Sequence, residues 1–246
     1  MGVKNILQCN WNKNWELIKF IFFQKDDPYN TYDKVLKLHH QYNLKTIFFF
    51  LLGDYHKYDR NISFKNLEYQ ELIKKIFNDC EIGIHNSFKS ISNPSLLKIE
   101  CERLASIIGL GVTSSRQHYI CLNIPYNYQN LIKNKILNDY TMGFADYPGF
   151  RAGTSNPFLF FDLKINKSTK LLLYPFSIMD VTLKNYMNLN PQKSLIMIKS
   201  IIKEIKNVNG LFMSIWHNES LNYSHEWIGW DSVYEEMIKY IVDEKN

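Results

Sequence analysis

The chain has 246 residues, a length that suits one large α/β domain better than two small ones. Hydrophobic residues make up 46% of the chain, and no apolar run approaches the roughly 18 residues of a membrane span. The net charge of +5 comes from lysines spread along the whole chain, whereas a nucleic-acid-binding protein more often carries a basic cluster. The N-terminus shows no secretory signal, so we expect a cytoplasmic protein without a membrane span.

The predicted elements alternate between strand and helix. The first clear strand, Lys45 to Leu52, is almost continuously apolar, as is typical of a parallel strand buried on both faces. Further strands are predicted at residues 80–84, near Val112, near Ile120, near Tyr140, at 170–179 and at 211–216. Helices are predicted at residues 67–77, after an Asn93-Pro94 cap, at 125–136, after an Asn190-Pro191 cap and at 230–242. This alternation indicates an α/β fold with a parallel sheet or barrel.

Polar side chains follow several of these strands. In parallel β/α folds, ligands bind at the C-terminal ends of the strands. Six candidates fall at such ends: Asp54, His85, Arg116, His118, Asp180 and His217. A lone histidine there is more often structural, but three histidines on different strands with an arginine and two acids favour a functional pocket. Asp54 and Asp180 could instead cap the turns that follow them. Two further histidines, His39 and His40, are expected on a surface helix.

Six segments, in this order along the chain, together form a recognisable pattern: DPYNTYD (27–33), FFFLLGDYHKYDRNI (48–62), EIGIHNSF (81–88), SRQHY (115–119), GFADYPGFRAGT (143–154) and MSIWHNES (213–220). Together they resemble a bacterial branch of the polysaccharide deacetylase family (NodB homology, carbohydrate esterase family 4). The resemblance covers about residues 26–240, and EIGIH and IWHN are its most specific motifs. It implies a distorted or incomplete (β/α) barrel over residues 26–246, with residues 1–25 as an N-terminal extension of uncertain role.

The resemblance also implies a metal-dependent hydrolase that removes acetyl groups from N-acetylated sugars or surface polysaccharide. Family enzymes hold a divalent metal, usually zinc, with one aspartate and two histidines, and use a second aspartate as general base. A histidine after the last strand protonates the leaving amine. Carried over by position, His85 is the first metal histidine, His217 is the general acid and Arg116 is the arginine that orients the base.

The sequence departs from the family pattern in two places. The second metal histidine of the family follows the first by four residues, where this chain has Lys89, so His118 is the alternative ligand and Asp54 the candidate carboxylate. The family's aspartate pair belongs on a strand before DPYNTYD, yet residues 1–25 contain no Asp and only Glu16 as an acid. We therefore expect a weakened metal site and impaired catalysis. The missing strand could be replaced by Val3 to Cys9, by Leu17 to Phe23, by an N-terminal segment that this sequence lacks, or by a partner.

Two functions remain open at this point. The first is a deacetylase-like hydrolase, and the alternative is a non-catalytic carbohydrate-binding or assembly pseudoenzyme. Aromatic residues near the presumed mouth motivate the alternative, because aromatic faces stack on sugar rings. The aromatic candidates are Tyr119, Phe150, Trp216, Trp227 and Trp230, and the predicted substrate-binding residues are Tyr119, Arg151, Trp216 and Asn218.

Overall fold

The computed structural model describes residues 29–222 and 225–243. The predicted extension, residues 1–25, and both candidate replacement segments within it lie outside the described residues. The helices are α1 (Tyr32–Gln41), α2 (Leu67–Asp79), α3 (Lys89–Ser92), α4 (Leu96–Ile108), α5 (Tyr126–Lys133), α6 (Pro191–Asn207) and α7 (Trp230–Asp243). The strands are β1 (Ile47–Phe50), β2 (Glu81–Asn86), β3 (Ser114–Gln117), β4 (Asn138–Asp139), β5 (Phe158–Asp162), β6 (Lys167–Leu173), β7 (Ile178–Met179) and β8 (Ser214–Ile215).

The strands form a six-stranded sheet in the order β1-β2-β3-β4-β6-β5 and a separate parallel pair, β7-β8. All neighbours in the large sheet are parallel except β5 and β6, which form an antiparallel hairpin. Backbone hydrogen bonds from Tyr174 to Asp139, from Phe176 to Met142 and from Ser177 to Met213 connect the two sheets. The described strands do not close a barrel, so the predicted distorted, incomplete β/α-barrel is confirmed.

Strand β1 shows why an almost wholly apolar run forms a strand here. Phe49 faces the inside of the curved sheet, where its ring lies 5.3 Å from that of Tyr140. Its neighbours point to the helical layer, with Phe48 against Tyr32 and Phe50 against Tyr69. Both faces of the strand therefore meet apolar partners, as expected of a parallel sheet covered by helices.

The helical layer follows its predicted bounds closely. The side chain of Asn190 caps α6 by accepting from the backbone N–H of Lys193 at 2.9 Å, as the Asn-Pro pair predicts. Helix α4 departs from the predicted Asn93-Pro94 cap, because it begins at Leu96, two residues after Pro94, and has no side-chain cap. None of the described helices is long and apolar enough to cross a membrane.

Three strand predictions need correction. The predicted strand near Ile120 is wrong, because residues His118–Ile120 form a tight turn whose backbone is left-handed at Tyr119 and Ile120. The strand predicted near Val112 lies two residues later, as β3. The predicted strand at 170–179 divides into β6 and β7, because the chain bends between Leu173 and Ile178. Strand β5 was not predicted; it is paired on one side only and leaves Leu159 and Phe161 exposed.

The prediction that His39 lies on a surface is also wrong. His39 is buried between α1 and α7, where its Nε2 atom lies 2.5 Å from the hydroxyl of Tyr234. Its Nδ1 atom lies 3.0 Å from the hydroxyl of Thr46. His40, the next residue, is exposed as predicted. Two hydroxyl partners satisfy both ring nitrogens of His39, so this histidine belongs to the core.

Candidate functional site

Four predicted residues come together at the C-terminal ends of the strands, a region called the mouth below. His85 in β2 lies beside Arg116 in β3, and His118 follows β3 directly. The rings of His85 and His118 have centroids 4.9 Å apart. His217 follows β8, and its charge lowers the pKa of both His85 and His118. Residues separated by up to 132 positions thus lie close enough to interact electrostatically at one end of the sheet.

His85 and His118 are held as neutral imidazoles. The Nδ1 atom of His85 lies 3.0 Å from the carbonyl oxygen of Arg116, and that of His118 lies 2.9 Å from Oδ1 of Asp59. Both partners are acceptors, so each Nδ1 carries the proton and each Nε2 keeps a lone pair. Burial lowers the pKa of His85 well below its ordinary value. Burial also lowers the pKa of His118, although the hydrogen bond and charge of Asp59 oppose the change.

His217 has the opposite electrostatic character. Its Nδ1 atom lies 2.8 Å from Oδ1 of Asp180, and its backbone N–H donates to Oδ2 of the same carboxylate at 2.7 Å. Burial alone lowers the pKa of His217, but the charge and hydrogen bond of Asp180, helped by Glu219, outweigh burial and raise it. Burial raises the pKa of Asp180, and its interactions with His217 reverse that shift. The pair therefore favours an imidazolium beside a carboxylate.

Arg116 adds a buried positive charge to the mouth. Burial lowers its pKa to about 10, which leaves it protonated at neutral pH. Its Nε atom donates to the carbonyl oxygen of Tyr140 at 3.2 Å, and its guanidinium lies 4.4 Å from the centre of the Phe49 ring. Nearby Asp139 is fully buried, and burial raises its pKa to about 6. Within residues 29–222 and 225–243, no carboxylate lies within ion-pair distance of Arg116.

The sequence did not single out Asp59, the fully buried partner of His118. Its carboxylate also accepts from the backbone N–H groups of Phe88 at 2.6 Å and Lys89 at 3.1 Å. These bonds join the loop after β1 to the end of β2. No pattern within residues 53–62 distinguishes Asp59 from Asp54, because only tertiary packing buries the former.

Asp54 occupies a different environment from the histidines. Its carboxylate pairs with Arg103 at 2.8 Å, and its side chain is 68% exposed. Arg103 also donates to the carbonyl oxygen of Leu52. The structure therefore places Asp54 on the surface next to α4 and does not bring it into contact with His85 or His118.

Among the predicted substrate-binding residues, the structure brings only Tyr119 against the histidines. Its ring lies 4.6 Å from that of His118 and is 52% exposed. The backbone there is strained, because Tyr119 (φ 59°) and the β-branched Ile120 (φ 55°) both adopt left-handed conformations. Such strain clusters at functional sites, where surrounding structure holds it in place. The rings of Tyr58 and Phe88 extend this aromatic rim of the mouth.

The other substrate-binding candidates have structural contacts. Arg151 is exposed and donates to the carbonyl oxygen of Gly143. The ring of Trp216 packs against Tyr234 of α7. Asn218 directly follows His217 and donates to the carbonyl oxygen of Tyr29. The remaining aromatic candidates near the presumed mouth include Trp227 and Trp230, which are both buried in the core.

His85 and His118 are the described residues of the mouth whose chemistry suits a metal. Two neutral imidazoles with free Nε2 atoms suit zinc, and the partners at Nδ1 are those that orient metal-binding histidines. However, no group of three or more His, Cys, Asp or Glu residues that could hold a metal occurs in the described part of the chain. The described residues therefore do not complete the ligand set.

The structure is similar to a crystal structure of a protein described as a polysaccharide deacetylase from Mycobacterium smegmatis. The TM-score is 0.62 at 14% identity, over 87% of this chain and 71% of that one. A second similar structure is that of a protein described as a polysaccharide deacetylase involved in O-antigen biosynthesis from Bordetella bronchiseptica, with a TM-score of 0.47 and 10% identity over 88% of this chain and 85% of that one. A third is the CE4 domain of a multidomain xylanase from the hindgut metagenome of Trinervitermes trinervoides, with a TM-score of 0.44 and 12% identity over 88% of this chain and 77% of that one.

The sequence itself matches no protein-family model and no curated protein. At 14% identity, the likeness to the mycobacterial structure is one of fold. The chain thus has an α/β fold of the incomplete-barrel class. In particular, its fold is similar to that of the mycobacterial protein described as a polysaccharide deacetylase.

Proposed function

We propose that this protein is a deacetylase-like hydrolase that acts on N-acetylated sugars or surface polysaccharide. One observation carries the proposal: His85, His118 and His217 converge on one mouth with each Nδ1 fixed by an acceptor. This arrangement leaves three Nε2 atoms for substrate, metal or proton transfer. The fold shared with polysaccharide deacetylases supports the same reaction class, by analogy.

In this proposal His217 is the general acid. Loss of an amine from an acetamide requires a proton on the leaving nitrogen, and an imidazolium is the suitable donor near neutral pH. The Asp180 carboxylate keeps His217 protonated and orients its ring, so that Nε2–H can donate to the nitrogen. Arg116 supplies a fixed positive charge in the same pocket and would attract the developing oxyanion.

We further propose that His85 and His118 are ligands of a divalent metal, zinc by preference. A bound zinc ion would polarise the acetyl carbonyl and activate water. Two imidazoles are fewer ligands than a stable zinc site needs, so the described residues alone do not account for tight binding. A cytoplasmic location and a role for Asp54 stay predictions.

Acetate release tests the proposal. The purified chain, with added zinc, is incubated with N-acetylglucosamine oligomers, and free acetate is measured enzymatically. We expect release by the native protein, loss of release in His217→Ala, and unchanged release in His40→Ala, an exposed histidine on α1. If no acetate appears, or if His217→Ala is as active as the native protein, the hydrolase proposal is wrong.

A second candidate, a carbohydrate-binding pseudoenzyme, is favoured by one observation. Two of the described acids around the mouth are already engaged by histidines: Asp59 by His118 and Asp180 by His217. Neither has the freedom of a general base, while the Tyr119 ring stays exposed for stacking. This candidate predicts saccharide binding, measured by calorimetry, that persists in EDTA and is lost in Tyr119→Ala. Binding that requires zinc would contradict it.

A further inference from the structure

We propose that the aromatic rim of the mouth binds a carboxylate-bearing sugar that neighbours the N-acetylated sugar, so that the substrate is an acidic polysaccharide. The inference rests on the proposed function and deepens it, because it names the class of saccharide that the same site binds. Three observations carry it: the packing of three rings, the positions of three cations around them, and the engagement of the acids in the same loops.

The aromatic rim is built by one ring from each of three loops. Tyr58 follows β1, Phe88 follows β2 and Tyr119 follows β3. The ring of Tyr58 lies 4.6 Å from that of Phe88 and 5.8 Å from that of Tyr119. The rings of Phe88 and Tyr119 are 5.5 Å apart, which closes the cluster. Tyr58 is 38% exposed, so the rim combines a rigid packed base with accessible aromatic surface for a ligand.

The rim adjoins the histidines on one side only. Among its three rings, Tyr119 lies against His118, with centroids 4.6 Å apart. Tyr58 and Phe88 in turn pack on Tyr119. A sugar with its acetamide at the histidines therefore contacts Tyr119, and the neighbouring sugar of the same polymer meets Tyr58 and Phe88. The rim thus selects the sugar beside the one that reacts.

Three cations surround the rings. The Nζ atom of Lys57 lies 5.0 Å from the centre of the Tyr58 ring. The Nε atom of Arg60 donates to the carbonyl oxygen of Lys57 at 3.2 Å, so its guanidinium stays beside the same loop. Lys89 directly follows Phe88. All three side chains are exposed, and none of them pairs with a carboxylate in the described part of the chain.

The acids of the rim do not neutralise these cations. Only two acids, Asp54 and Asp59, occur in the three loops that build the rim, which are residues 53–62, 86–93 and 118–125. Asp54 is neutralised by Arg103, and Asp59 is fully buried against His118. Even when the charge of Asp59 is counted, the rim keeps a net charge of +2. A positive field beside aromatic rings attracts a ligand that is both cyclic and anionic.

A single-stranded nucleic acid is the other polymer that combines rings with anionic groups, because its bases stack and its phosphates pair with cations. Two features favour the saccharide. The rim has three free cations, whereas nucleic-acid grooves usually contain a longer basic track. In addition, the rim adjoins His118, whose proposed role is in the hydrolysis of an acetamide. A neutral polymer fits less well, because the three cations gain no partner from it.

Calorimetry on the full chain with two matched oligosaccharides tests the charge. One is a hyaluronan tetrasaccharide, which alternates N-acetylglucosamine with glucuronate, and the other is the same tetrasaccharide with its carboxylates reduced to alcohols. We expect the acidic probe to bind about tenfold more tightly at low salt, and this ratio to shrink at high salt.

Charge-removing variants locate the effect. The triple variant Lys57→Gln, Arg60→Gln, Lys89→Gln should bring the ratio close to one. The matched control, in which three exposed lysines elsewhere lose the same charge, should keep the native ratio; it carries Lys133→Gln, Lys167→Gln and Lys203→Gln. Loss of the ratio in the control as well would overturn the inference, because it would show a response to net charge alone.

The rings give a different signature. Tyr58→Ala removes stacking surface and no charge, so it should weaken the binding of both tetrasaccharides roughly fivefold and leave their ratio unchanged. Native affinity for both probes in Tyr58→Ala, with a native melting temperature, would overturn the placement of the sugar on the rim.

The remaining outcomes separate this inference from the proposed function. Equal affinity of the native chain for the two tetrasaccharides would overturn the inference alone. Binding of neither would also overturn it, but the proposed function falls only if acetate release from N-acetylglucosamine oligomers is absent as well. Tighter binding of an oligothymidylate than of the acidic tetrasaccharide would overturn it in favour of a nucleic-acid site.

Discussion

The two histidine–carboxylate pairs of the mouth have nearly the same geometry and opposite protonation. His118 lies 2.9 Å from Asp59, and His217 lies 2.8 Å from Asp180. Nevertheless, the pKa of His118 is lowered and that of His217 is raised. Both rings are subject to desolvation, which lowers the pKa of an imidazole. A carboxylate partner therefore does not by itself decide the charge of a histidine.

The surroundings of the two pairs explain the difference. Asp180 accepts two hydrogen bonds from His217, through the ring and the backbone, and Glu219 adds a second negative charge nearby. His118 faces the positive charge of His217 instead. The result is a division of labour: a neutral imidazole suits metal binding, and an imidazolium suits proton donation. Four predictions test this division, from the largest expected effect to the smallest.

The largest effect is expected from substitution of His217, the proposed general acid. His217→Ala should lower kcat/KM for acetate release by about 10² to 10⁴, the usual contribution of a general acid. The exposed His40→Ala serves as control and should keep native kinetics. A His217→Ala variant within threefold of native, measured under the same zinc concentration, would exclude the assigned role.

The second prediction concerns Asp180→Asn, which removes the charge that raises the pKa of His217. Burial remains, so the pKa of His217 should fall, and the protonated acid should be lost at a lower pH. We expect the alkaline limb of the kcat/KM profile to shift to lower pH. As a result, kcat/KM at pH 8 should fall roughly 100-fold. Asp162→Asn, which changes a buried aspartate of β5, is the matched control. Equal alkaline limbs in the two variants would disprove the coupling.

Much of the fold could be predicted from periodicity. The apolar run at β1 and the helical repeats of α2, α6 and α7 are long and regular, so their existence and type follow from sequence. Strand β5 was missed because it pairs only at an edge and keeps Leu159 and Phe161 exposed. The turn at Ile120 was missed because left-handed backbone at a β-branched residue is imposed by its surroundings.

The site could be predicted only in part. His85 and Arg116 lie at the C-terminal ends of β2 and β3, and His217 follows β8, so the rule for parallel sheets locates them without coordinates. Asp59 lies in an irregular loop whose path depends on bonds to Phe88 and Lys89, and no local pattern encodes these contacts. Asp54 has the better sequence position, four residues after β1, but its pairing with Arg103 directs it to the surface.

The third prediction uses His39, a buried histidine without a carboxylate partner, as a reference. Burial, with a smaller effect of the His40 charge, lowers its pKa from 6.5 to about 4. Between these values the unfolded chain binds one more proton than the folded chain, so stability falls as the pH drops through this range. From pH 7 to pH 5 the loss should be about 2 kcal/mol. Urea unfolding of His39→Gln should show a flatter pH dependence, and His40→Gln should show the native slope.

The smallest effect is expected at Asp59. The pKa of His118 stays lowered despite this carboxylate, so the variant tests whether Asp59 still contributes to metal affinity. Asp59→Asn keeps one acceptor oxygen but removes the charge that fixes the Nδ1–H tautomer of His118. Partners of this kind typically contribute 10- to 100-fold to metal affinity, and we expect about tenfold weaker zinc binding by calorimetry. Because Asp59 also anchors Phe88 and Lys89, thermal unfolding must be measured in parallel. A variant that stays folded with native zinc affinity would show that Asp59 only anchors the loop, and that the two pairs of the mouth differ in purpose as well as in charge.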